Sequence, residues 1–184
     1  GYNTGYMNEE TNAILQIGGG NFKGIIDNVS IRTNEIYGYS LDFQNGFDAS
    51  RMKINGNASW NGTKLKLTSS SLNQKGSAFY TNKFSASAFH TVFDYSNVNL
   101  IGGSGSGFTF VINSNTNGLG DSGVGLGYSN IPGACSFALA FNGSPSATIY
   151  TNSRVFSTTS LPSGLDIDNG HLFRIEINYA GGWD

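Results

Sequence analysis

The chain has 184 residues, 26 of them glycine, with 13% aromatic and only 12% charged residues and a formal net charge of −2. Scarce helix formers and abundant Gly, Asn, Ser and Thr predict an all-β chain, and the length suits one sizeable core. Dispersed Lys and Arg form no basic face for a phosphate backbone, so nucleic acid is not an expected partner, and no apolar run reaches the roughly 20 residues of a spanning helix, so no membrane insertion is expected.

In chain order, Leu15 to Gly20 and Phe22 to Ile31 come first and resemble the closing strands of a sandwich. Period-two alternation then marks the strand with Phe89, Thr91, Phe93 and Tyr95 on one side and Ala88, His90, Val92 and Asp94 on the other. Phe108, Phe110 and Ile112 repeat it, as do Phe137, Leu139 and Phe141, and finally Phe173, Ile175, Ile177 and Tyr179. Each is expected to bury one face. Asn-Gly pairs at 45-46, 55-56, 61-62, 117-118, 142-143 and 169-170 accept the positive φ of tight hairpins and so predict antiparallel strands. The stretch from Ser69 to Gln74 is at most one short turn. Cys135 has no second cysteine to pair with, and beside Ala134, Ser136 and Phe137 it reads as a small buried residue rather than a reactive thiol. Four glycosylation-type triplets begin at Asn28, Asn57, Asn61 and Asn142, a pattern that fits an extracellular protein.

Some of these segments carry a family resemblance. Leu41-Asp42-Phe43, Ala58-Ser59-Trp60, Gln74-Lys75-Gly76-Ser77-Ala78-Phe79-Tyr80, Gly107-Phe108-Thr109-Phe110-Val111-Ile112, Gly125-Leu126-Gly127-Tyr128, Ser136 to Phe141 and Phe173 to Tyr179 follow one another in an order that resembles the L-type (legume-type) lectin domain, also found in bacterial surface adhesins. The resemblance implies a concanavalin A-like jelly-roll β-sandwich of antiparallel sheets, with loops over a concave face that bind glycans or glycoproteins. It also implies a calcium ion beneath the sugar loop, held by hard oxygen ligands. Here Ser106 stands where the family carries an aspartate, Ala140 and Asn142 stand for its acidic pair, and residues 146 to 152 are uncharged. No metal site and no cofactor are therefore expected. The candidate carbohydrate-binding residues are Ser106, Gly107, Asp121, Gly125, Leu126, Gly127, Tyr128 and Asn142. For Asp121 two readings stand, an acceptor for sugar hydroxyls and a solvated turn residue; for Tyr128 and Trp60 they are a ring that stacks on sugar and a core aromatic.

Residues 1–40 resemble the closing strands of a laminin-G-like sandwich, and 41–184 an L-type lectin-like sandwich lacking its last strands. Residues 1–40 thus finish a preceding domain, complete the same sandwich by permutation, or complete a neighbouring subunit. Unpaired sheet edges make self-association by strand addition a further expectation.

Enzyme chemistry finds little support. A glycoside hydrolase needs two carboxylates flanking the bond, whereas Glu176 is alone in its strand and Asp166 and Asp168 sit in a polar turn. His90 and His171 have no cysteine or carboxylate at metal-ligand spacing, and Gly102 to Gly107 lacks the Lys-Ser/Thr ending of a phosphate loop. The expectation is a non-enzymatic, extracellular carbohydrate-binding or adhesive module. The alternative is a structural, self-associating subunit of a surface fibre, filament or virion.

Overall fold

The computed structural model describes residues 14–20, 24–33, 38–41, 43, 48–69, 71–84, 88–98, 107–113, 118–131, 135–142, 146–151, 154–162, 165 and 169–180. The strands are β1 (Ile14–Gly20), β2 (Gly24–Thr33), β3 (Gly38–Leu41), β4 (Met52–Gly56), β5 (Ser59–Trp60), β6 (Leu65–Lys66), β7 (Lys75–Tyr80), β8 (Phe89–Val98), β9 (Gly107–Asn113), β10 (Cys135–Asn142), β11 (Ser146–Thr151), β12 (Arg154–Ser160) and β13 (Asn169–Tyr179). Among the described residues the only helical element is a single 3-10 turn, Gly123–Gly125.

A seven-stranded sheet runs β12-β11-β10-β9-β1-β7-β4, and a six-stranded sheet runs β13-β8-β2-β6-β5 with β3 beside β2. Every described pairing is antiparallel. The first two strands enter the middle of the two sheets. β1 lies between β7 and β9, with Ile17 opposite Ala78 on one side and Phe110 on the other. β2 lies beside β8 along one edge, and β6 and β3 share the other. In β2 both Ile26 and Val29 are fully buried although they are three residues apart. A register shift between Asp27 and Ser30 explains this, because one extra residue re-aims the side chains that follow it.

The core forms where aromatic rows from the two sheets meet. Phe93 on β8 stacks on Phe110 of β9 at 5.8 Å and 6°, and meets Phe108 edge-on at 6.2 Å. Tyr95 touches Phe108 at 4.6 Å. Ile26, Leu65, Leu67, Met52, Ala78 and Tyr80 extend the same cluster. The predicted inward row of β8 (Phe89, Thr91, Phe93, Tyr95) is buried throughout.

Two expectations need correction. β9 was expected to bury one face, but Thr109, Val111 and Asn113 are as buried as Phe108, Phe110 and Ile112, so both faces are covered. The segment 118–131 supplies part of that cover. Asn169-Gly170 was expected to form a hairpin turn; instead it opens β13, where Gly170 has φ 82° and the register with β8 shifts between Asn169 and Leu172. The glycine takes up a bulge, the other common use of a positive φ in a sheet. Asn61-Gly62 does turn the chain between β5 and β6, with Gly62 at φ 102°. The pair 45-46 lies outside the described residues.

Candidate functional site

The glycine-rich segment 118–131 lies against the outer face of the seven-stranded sheet, and each of its anchors has a local cause. Gly118 presses on β7: the Ser77 hydroxyl donates to its carbonyl at 2.7 Å, and a Cβ there would lie 2.5 Å from Ile131 and 3.0 Å from the Phe79 ring. Gly120 donates to the Gly127 carbonyl at 3.0 Å, Asp121 N to Ser129 O at 2.9 Å, and Gly127 N to Asp121 O at 2.9 Å. The segment is thus doubled back on itself. After the 3-10 turn Leu126 adopts φ 47°, and its carbonyl accepts from the Thr109 hydroxyl of β9 at 3.2 Å. These bonds satisfy polar backbone over a buried sheet face, which an unbonded loop would leave costly.

The loop therefore presents a defined set of side chains. Gly125, Leu126 and Gly127 are buried and serve as its underside. Asp121 is exposed, and its Oδ2 accepts from Asn130 Nδ2 at 2.6 Å. Asn130 reaches this position through a left-handed backbone, φ 60°, which asparagine tolerates. Tyr128 and Tyr150 of β11, both half-buried, pack against Val111 with their rings 5.1 Å apart at 53°. Beside them Thr148 and Thr158 join β11 to β12 through hydroxyls 3.1 Å apart.

The predicted residues fall into two groups. Asp121, Gly125, Leu126, Gly127 and Tyr128 share this one loop. Gly107 and Asn142 are register partners at the ends of β9 and β10, with Gly20 of β1 on the other side of Gly107. The groups connect through Thr109, two residues along β9 from Gly107. Ser106 lies outside the described residues. Trp60 is not sealed in the core: it is 38% exposed and its indole Nε1 donates to the Phe43 carbonyl at 3.1 Å.

Sequence reading missed Asn130 and Tyr150. Asn130 sits in an Asn-containing turn where a side-chain bond to a nearby carboxylate was a local signal to follow. Tyr150 carried no such signal, since only the β9-β10-β11 register brings it to Tyr128: Val111 opposes Ala138, which opposes Tyr150.

The groups gathered here are a carboxylate held by one amide, hydroxyls and two aromatic rings. Among the described residues no three His, Cys, Asp or Glu side chains come together in a way that would hold a metal ion. Two ion pairs lie on the six-stranded sheet. Arg174 donates through Nε and Nη2 to the carboxylate of Asp94 at 2.8 and 3.1 Å, which raises the guanidinium pKa further, and His90 Nε2 lies 2.7 Å from Glu176 Oε1. No family model, curated protein or solved structure matches this chain.

Proposed function

We propose that the protein is an extracellular, non-enzymatic carbohydrate-binding module built as a concanavalin A-like jelly-roll sandwich, with the loop 118–131 as its sugar-contacting surface. The observation that carries this reading is that one loop holds both the Asp121-Asn130 pair and Tyr128, whose ring meets that of Tyr150. A sugar presents adjacent hydroxyls and patches of aliphatic C–H. A carboxylate fixed by one hydrogen bond keeps acceptor capacity for the hydroxyls, and half-exposed rings receive the C–H face. Glycans or glycoproteins are the partners. The loop's shape is set by its own backbone bonds and by Thr109 and Ser77, so binding does not rest on calcium to organise it.

Glycan-array screening followed by titration calorimetry tests this. The unaltered protein is expected to bind at least one glycan class equally in calcium and in chelator. Asp121→Ala and Tyr150→Ala should each weaken that binding about 10-fold or more, the scale of one lost charge-assisted bond or one ring contact, while the circular dichroism spectrum stays unchanged. Binding untouched by both substitutions, or no glycan bound, overturns the proposal.

A further inference from the structure

Away from the loop, the six-stranded sheet has an edge that no described strand occupies. β13 pairs with β8 along one edge, and no described strand pairs with the other. Its inward row, Phe173, Ile175, Ile177 and Tyr179, packs against the core yet stays half-buried, whereas the facing row of β8 is buried. On its outer face Leu172, Arg174, Glu176 and Asn178 are exposed. Open N–H and C=O groups beside a half-covered apolar row are what a further antiparallel strand satisfies.

The strand that fits is β13 itself. Two copies laid antiparallel about a twofold axis at Ile175 place Ile175 opposite its own copy, Phe173 opposite Ile177 and Leu172 opposite Asn178. They also place Arg174 opposite Glu176, twice by symmetry. Opposite charges directly across a strand pair stabilise it and like charges oppose it. Moving the axis one residue either way sets Arg174 against Arg174 or Glu176 against Glu176, so the charges select the register from its neighbours. Both groups have capacity to spare. Arg174 uses Nε and Nη2 on Asp94, leaving further guanidinium N–H groups, and Glu176 engages His90 through Oε1, leaving Oε2. Among the other strands at sheet edges, β12 is exposed throughout but has Arg154 and no acidic residue, so pairing with itself selects no register.

We propose that two copies of this chain associate through antiparallel pairing of β13, centred on Ile175, which joins their six-stranded sheets into one continuous sheet. The interface goes beyond the sugar-binding reading and stands independently of it, since it uses no residue of the loop 118–131.

Sedimentation velocity of the full 184-residue chain over a concentration series is the test. The unaltered chain should reversibly dimerise. Glu176→Arg, at a side chain 65% exposed, and Arg174→Glu should each weaken the dimer at least 10-fold, because each sets like charges across the axis. An equimolar mixture of the two variants should dimerise again, because Arg then faces Glu at both positions. Leu172→Cys mixed with Asn178→Cys, both in a Cys135→Ser background, should form a disulfide between the two differently substituted chains. This second readout needs no charge change and keeps the register testable if Arg174→Glu fails to fold. A monomer at every concentration, a dimer untouched by Glu176→Arg, or cysteine variants that stay uncrosslinked overturns the proposal.

Discussion

At the scale of single residues, Gly120 shows how little freedom the loop retains. A Cβ on Gly120 would lie 2.5 Å from the Tyr128 backbone, an atom group that cannot rotate away. Gly120→Ala is expected to destabilise the protein by about 1–3 kcal/mol, read as a lower urea midpoint, and to displace Asp121 from Asn130. Gly123 offers the contrast: it has φ 61° but open space around it, so alanine there meets backbone strain alone, about 1 kcal/mol. Tyr179, at the end of β13, has its phenol pKa pushed up by burial. A raised folded value means that the neutral ring is preferred in the folded chain. Its contribution is complete below the unfolded value, about 10, and is lost as pH rises through the folded one. Melting temperatures should therefore fall as pH rises above about 10, toward the raised folded value, and Tyr179→Phe should make that fall shallower.

At the scale of elements, β9 is the strand on which the others depend. One face supplies Phe108 and Phe110 to the aromatic core, and the other supplies Thr109 and Val111 to the underside of the loop. Phe110 is fully buried, and its ring lies nearly parallel to Phe93. Phe110→Ala is expected to cost about 3–5 kcal/mol in chemical denaturation, from lost transfer energy and the cavity left between two sheets that cannot collapse fully. The alternation of β8 likewise put Asp94 on the outer, solvent-facing side. It is instead 3% exposed, because Arg174 from the neighbouring strand lies across it. Period two tells which face a side chain takes; it does not tell what lies on that face.

At the scale of the whole molecule, the strand order is the least local feature. β1 and β2 are consecutive in the chain yet enter different sheets, and each pairs with a strand more than fifty residues away, although β2 also pairs with the nearby β3. A resemblance to closing sandwich strands marked them as strands, and nothing in residues 15 to 31 named their neighbours. The candidate site divides in the same manner. The glycines at 118, 120, 125 and 127 advertised a tight loop, and Asp121 and Tyr128 were visible inside it. Tyr150 and Thr109 joined them only through register, and the open edge of β13 became visible only once its pairing with β8 was known.

The sequence by itself determined the β character of the chain and the inward rows of β8, β9 and β13, because side-chain alternation and turn chemistry act over a few residues and are written in those residues. Tertiary structure decided which strands became neighbours, which second face was covered and which edge has no partner among the described residues. Those outcomes follow from pairings across tens of residues, where many partners offer equal backbone hydrogen bonds and only the packing of all rows together selects among them.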